Sequence, residues 1–429
     1  MNRFLPPAIL LSVVLFLSSC ASAPERFVPK YEHKIQADFT GLVHAGETNA
    51  AEEFTYLDYI GTGWTLNTFY WSRIELRQGE WNFQQYDTLV DNAKAAGIKV
   101  LGVLAYDTKW IHEDNDTHYY VPQARLPDYL EYVRKTAGHF RGRVDAWCIW
   151  NEPNSHFWRG TDKEFFELVR QAADVVRETD SEVILLGGAF NRGILGLPKK
   201  YIRGLFESGA MEKANAVAFH PYELNPQRTA RLYDQFRKIA DDYGFGEKIW
   251  ITEVGYPTGG LYPTRISEKK FPAYVIKTFT LLAARGAQKV FWYQLFDPVN
   301  RKSANSEDFF GLVRSKSDYT SKGAEAFRLC ATYLPDSTHL TYELRLADLP
   351  KSLRVFYFEG AQDRVLILWN ESPGSKQVRL LLSGTDHKIH EPVTGGSVTI
   401  QGESLVNVSS TPVFITWQGG AEKPLVTKK

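Results

Sequence analysis

The chain has 429 residues, enough for one large domain and a small one. Its 50 basic residues balance 50 acidic ones and form no block, which excludes the electrostatic footprint of a nucleic-acid binder. Aromatic residues are abundant (11 Trp, 22 Tyr and 26 Phe), as in a well-filled core or in surfaces that stack on sugar rings.

The first segment is a targeting signal rather than fold. Arg3 gives a short positive start, and the apolar run Ala8 to Leu17 is too short to span a bilayer. Leu17-Ser18-Ser19-Cys20 follows, and it resembles the lipobox of bacterial lipoproteins. The resemblance implies that residues 1–20 are a signal peptide and that Cys20 is lipidated, anchoring the protein to the membrane of the cell envelope. With Ala21 and Ser22 following and no Asp after the cysteine, the same resemblance implies the outer membrane. Residues 21–35 read as a polar linker. Cys148 lies in an apolar strand as a small hydrophobe, and with Cys330 it forms neither a disulfide framework nor a metal cluster.

Over residues 36–334, eight apolar runs predict strands at Asp38–His44, Thr65–Ile74, Lys99–Tyr106, Val144–Trp150, Val183–Gly188, Ala216–His220, Ile249–Thr252 and Lys289–Leu295. Several are continuously hydrophobic, as in a parallel sheet covered on its outside. Amphipathic helices lie between them. Phe83, Tyr86, Val90 and Ala93 form one stripe, with Gly97 as a stop. Pro127 opens a helix carrying Leu130, Val133, Ala137 and Phe140. Thr161-Asp162-Lys163-Glu164 is a capping box, and Pro226–Tyr243 and Ser267–Arg285 fit further helices. Alternating strands and helices predict an α/β fold, a (β/α)8 TIM barrel. A doubly wound sheet is disfavoured, because no glycine-rich phosphate turn follows the first strand.

In residues 335–429 the pattern changes. Leu353–Phe358, Val365–Trp369, Gln377–Leu382, Ser397–Ile400 and Val413–Trp417 predict strands with turns between them. Glu359–Asp363 and Thr394–Gly396 read as hairpin connections, and the last few residues as a disordered tail. Together they predict a small C-terminal antiparallel β-sandwich.

Two acids follow apolar strands directly: Glu152 in Trp150-Asn151-Glu152-Pro153-Asn154 and Glu253 in Ile251-Thr252-Glu253-Val254. In a TIM barrel the reactive groups gather where strands end, and burying a charge there without a task is costly. The histidines show no HExxH and no helical pairing, no CxxC is present, and there is no G-x-S-x-G elbow. No metal or cofactor is expected.

Asn151-Glu152-Pro153 on strand four with Thr252-Glu253 on strand seven resembles the paired motifs of clan A glycoside hydrolases. The segment Glu75…Gly79-Glu80-Trp81-Asn82-Phe83…Tyr86-Asp87 is similar to that of family 39, and the lipobox and sandwich to bacterial exopolysaccharide-associated endoglycosidases. The resemblance implies a retaining enzyme in which Glu152 is the acid/base and Glu253 the nucleophile. It implies that Arg73 supports the nucleophile, as does the Tyr222 hydroxyl, and that Asn151 holds the sugar 2-hydroxyl. His220 then stands near the reaction centre and Trp292 forms the platform under the cleaved sugar. Asp107, Trp110 and His112 are expected to line a subsite, with Asn191, Asp297 and Asn300 as weaker candidates.

The expected substrate is a polysaccharide, an envelope or biofilm exopolysaccharide in the narrower reading, with envelope polysaccharide machinery as a partner. The alternative enzyme is a plant-polysaccharide hydrolase or xylosidase. From another class, the alternative is a non-catalytic carbohydrate-binding lipoprotein.

Overall fold

Eight parallel strands close on themselves in chain order: β1 (Thr40–Val43), β2 (Trp64–Tyr70), β3 (Lys99–Ala105), β4 (Ala146–Ile149), β5 (Ile184–Asn191), β6 (Ala216–His220), β7 (Ile249–Val254) and β8 (Lys289–Trp292). The computed structural model describes residues 33–46, 51–193, 196–261, 265–298, 304–315, 321, 323–339, 345–347, 349–420 and 424–428. The signal segment with Cys20, the linker up to residue 32 and Asn300 lie outside them. No helix among the described residues is long and apolar enough to cross a membrane.

Helices follow the strands and cover the barrel, as the 3.6-residue stripes predict: α1 (Ala51–Tyr59), α2 (Gln84–Ala95), α3 (Leu126–His139), α4 (Asp162–Thr179), α5 (Lys199–Glu207), α6 (Pro226–Asp241), α7 (Phe271–Ala283) and α8 (Ala324–Tyr333). The capping box forms: Thr161 accepts from the Glu164 amide, and the Glu164 side chain accepts from the Thr161 amide. Inside the barrel, large rings need small neighbours. A Cβ on Gly102 would lie 2.2 Å from the Trp147 ring, and one on Gly41 would lie 2.4 Å from Phe291. Glycine at both positions admits the two rings.

The second strand is shorter than expected. It stops at Tyr70, and Trp71–Ile74 wind into a single helical turn that buries Trp71 and Ile74 and leaves Arg73 exposed. Glu75 then accepts from the Trp71 indole at 2.7 Å and from the Gly79 amide at 2.7 Å, closing the hairpin Glu75–Arg77/Glu80–Trp81.

The C-terminal sandwich has a seven-stranded sheet and a four-stranded one. The two predicted hairpin connections join antiparallel pairs. Along Asp363–Asn370, Leu366 and Leu368 face the sandwich core while Val365, Ile367 and Trp369 join the barrel's hydrophobic core, so both faces are covered. Three features differ from the expectation. Thr385–His390 and Glu403–Val408 are strands whose polar composition hid them. Leu425–Lys428 is no tail: it pairs between Arg345–Ala347 and Lys376–Leu381, because Val426 is apolar and fully buried in the core. The end of the expected linker, His33–Lys34, forms the edge strand of the larger sheet, pairing with Thr338–His339.

Candidate active site

The two acids meet at the barrel mouth. Glu152 stands three residues beyond β4 and Glu253 within β7, so the barrel brings both to the same mouth. An oxygen of each, together with a ring nitrogen of His220, falls within 4.8 Å of the others. Only 13 and 15 % of the two side chains is exposed.

Glu152 is held from several sides. Its backbone has φ +43°, a left-handed conformation rare outside glycine, stabilised by its amide donating to Ala189 O at 3.0 Å. One carboxylate oxygen lies 2.9 Å from His220 Nδ1, and the other accepts from Asn191 Nδ2 at 2.8 Å. Asn154 in turn holds Asn191, donating to its side-chain oxygen at 2.8 Å and accepting from its amide at 3.0 Å. Asn151 donates to the Tyr106 hydroxyl at 3.0 Å.

Glu253 accepts from the Tyr222 hydroxyl at 2.8 Å, and its Oε2 lies 3.6 Å from His220 Nδ1. His220 is fully enclosed at the end of β6, with Nε2 2.9 Å from Thr252 Oγ1. Both ring nitrogens of this imidazole are therefore engaged by protein groups.

The electrostatics follow from this arrangement. Burial raises the Glu152 carboxyl, but the His220 hydrogen bond and charge, with help from Asn191, outweigh it and leave the pKa below the usual range. Glu253 lies above that range: burial and the neighbouring Glu152 charge outweigh the lowering by His220 and Tyr222. Burial opposes protonation of His220, yet the charges of Glu253 and Glu152 and the hydrogen bond to Glu152 raise its pKa. His220 Nδ1 thus faces both carboxylates, and the three groups titrate as a unit.

Of the expected site residues, Glu152, Glu253, Asn151, His220 and Tyr222 come together, and Asn191 joins them. Four do not. Arg73 is exposed, its guanidinium 4.4 Å above the Tyr70 ring, because the chain turns away after Tyr70. Trp292 is fully buried against Phe271 and Phe279 of α7. Strand side chains alternate between faces, and it is Tyr293 that faces the site, against His44, Tyr222 and Phe310. Asp107 is 2 % exposed and spends its oxygens on the backbone amides of His118 and Tyr119 and on His112. Trp110 donates its indole to Glu75 O at 3.1 Å and packs on Trp71. Asp297, also buried, accepts from the Gly311 amide at 2.8 Å.

The sequence reading missed Asn154, Thr252, His44, Tyr106, Tyr293 and Glu307. His44 directly follows the apolar strand β1, the same signal that marked Glu152, and its charge lowers Glu253. Glu307 is bonded to Tyr293; burial, and then the Glu253 and Glu152 charges, keep it above the usual range.

No family model matches the chain. Two curated relatives match in part. Endo-1,4-beta-xylanase B of Thermotoga neapolitana is 25% identical over 140 residues, 30% of this chain and 40% of that protein. A beta-xylosidase of Caldicellulosiruptor saccharolyticus is 28% identical over 122 residues, 25% of each chain. The chain thus spans less than half the length of either. Among solved structures, a family 39 glycoside hydrolase from the gut symbiont Bacteroides cellulosilyticus WH2 superposes with a TM-score of 0.73 at 18% identity, covering 89% of this chain and 81% of that one. The fold is therefore the one that this structure shares, a (β/α)8 barrel followed by a β-sandwich.

Proposed function

We propose that the chain is a retaining β-glycoside hydrolase acting on a polysaccharide. The observation that carries the reading is the approach of Glu152 and Glu253 within 4.8 Å across the mouth. Retaining enzymes hold their carboxyl groups about 5–5.5 Å apart, whereas inverting ones need about 6.5–9.5 Å to admit a water.

In the first step Glu253 attacks the anomeric carbon. The bond to the leaving oxygen breaks, and that oxygen takes its proton from Glu152. In the second, Glu152 takes a proton from water, whose oxygen attacks the same carbon and releases Glu253. Glu152 must therefore hold a proton although His220 lowers its pKa in the free protein. Substrate supplies the switch: a sugar that displaces water from the mouth disfavours the separated charges of Glu152 and His220. The proton then crosses their 2.9 Å bond to Glu152. Asn151 is placed to hold the sugar 2-hydroxyl, and Tyr222 steadies Glu253 between the two steps.

In the narrower reading the polymer is an envelope exopolysaccharide and the protein is anchored through Cys20. The Leu17-Ser18-Ser19-Cys20 segment supports this. Xylan is the second reading, favoured by the names of the two relatives, a xylanase and a xylosidase. Mass spectrometry after incubation with 2-deoxy-2-fluoro glycosides tests the mechanism and names the sugar. A covalent sugar on Glu253 is expected; turnover without any such ester, and with inverted product, would refute double displacement. Loss of lipid labelling in Cys20→Ala tests the anchor.

A further inference from the structure

Beyond the reacting pair, one cluster of side chains has no part in the chemistry above. Beside Glu152, the β3 and β4 loops bring Tyr106, whose hydroxyl accepts from the adjacent Asn151, together with Tyr119, His156 and Phe157. Tyr106 and Phe157 stack with centroids 5.5 Å apart at 10°. Tyr119 stands edge-on to both, at 5.1 and 5.4 Å, and His156 lies 4.0 Å from Phe157. Tyr119 and Phe157 are half-buried and His156 is exposed, so the cluster presents ring surface to solvent.

The cluster is built, not incidental. Phe157 is gripped through its backbone: its carbonyl accepts from the Trp150 indole at 2.7 Å, and its amide donates to Ser155 Oγ. Tyr119 has φ +53° and is fixed by Asp107, whose oxygens accept the amides of His118 and Tyr119 at 2.6 and 3.0 Å. The Tyr119 carbonyl accepts from the Arg159 amide at 3.1 Å, tying the two loops. A buried carboxylate thus holds an aromatic side chain in a backbone conformation that costs about 1–3 kcal/mol when unsupported.

We propose that Tyr119, Phe157 and His156 form the stacking platform for the sugar on the leaving-group side, and that Asp107 is its positioning residue. The inference rests on the glycosidase reading. The leaving oxygen takes its proton from Glu152, so the sugar carrying it lies on the Glu152 side of the broken bond. Pyranose C–H faces pack on aromatic rings. A platform there binds the departing part of a polymer, and equally an acceptor sugar. In that reverse use, an acceptor hydroxyl oxygen attacks the anomeric carbon and gives its proton to Glu152. The ester bond then breaks with its electron pair returning to Glu253.

The test uses the full chain trapped as the 2-fluoroglycosyl ester, with reactivation measured in buffer and in buffer containing xylobiose, cellobiose or mannobiose. The ratio of acceptor-driven to water-driven reactivation reports the platform alone. In wild type at least one disaccharide accelerates reactivation. Tyr119→Ala and Phe157→Ala are expected to lower that ratio at least tenfold, Asp107→Asn to lower it about threefold, and Tyr119→Phe and Phe157→Trp to keep it. An unchanged ratio in both alanine variants overturns the platform while leaving the mechanism intact. Absence of any ester in wild type instead removes the glycosidase reading, and the platform with it.

Discussion

Asn191 on β5 donates its side-chain amide to Glu152 Oε2 at 2.8 Å, so the candidate acid is aimed by the neighbouring strand. Asn191→Ala frees that oxygen and removes a hydrogen bond that lowers the Glu152 pKa. The expected outcome is a fall in kcat of about 10- to 100-fold on glycosides with poor leaving groups, within the range that general acid assistance contributes. On dinitrophenyl glycosides, which depart with little assistance, the fall is smaller. Equal losses on both substrate kinds would remove Asn191 from this role.

The Tyr222 hydroxyl is the hydrogen-bond donor identified on Glu253. A hydrogen bond to a charged group contributes about 1.5–3 kcal/mol. Tyr222→Phe should therefore lower kcat by about 10- to 100-fold. It should also move the acidic limb of the pH profile to higher pH, since Tyr222 lowers the Glu253 pKa. Steady-state rates across pH, with circular dichroism to check folding, decide it.

His220 lowers both carboxyls, and its loss shifts them in the same direction. The acidic limb of kcat/KM reports ionisation of Glu253. Removing the imidazole removes a charge that lowers the Glu253 pKa, so in His220→Gln the acidic limb moves to higher pH while the maximum falls. An acidic limb that stays in place or shifts toward acid would contradict the coupling of His220 to Glu253.

Where barrel and sandwich meet, the Lys277 ammonium lies 5.5 Å from the Trp369 ring, and burial pulls its pKa down to about 8 from 10.5. Below pH 8 the folded protein bears the full cost of a buried cation. Between pH 8 and 10.5 the unfolded chain binds more protons than the folded one, so stability rises with pH across that window. Lys277→Met should stabilise the protein by about 1–3 kcal/mol at pH 7 and flatten the rise. Denaturant titrations at pH 7 and 10 measure both effects.

Much of this architecture was written locally. An acid placed directly after an apolar strand is a short-range signal, and it located Glu152 and Glu253 without knowledge of any contact. Arg73 and Trp292 failed for a different reason. Their assignment depended on where β2 stops and on which face of the β8 segment points inward. In a strand covered on both faces, apolar character carries no such parity. Asn191, Asn154 and Asp107 act through partners on neighbouring strands or turned loops, and only the folded backbone brings those partners near. Thr385–His390 and Glu403–Val408 were overlooked because an exposed sheet face tolerates the polar residues that otherwise mark a loop.

The pairing of His33–Lys34 with Thr338–His339 means that the chain passes through the rim of the sandwich before it ever reaches the barrel. Twelve residues lie between Cys20 and His33, a leash no longer than about 45 Å when fully drawn out. On a protein lipidated at Cys20, any tug from the bilayer would therefore meet that seven-stranded sheet before the mouth where Glu152 and Glu253 must keep their spacing.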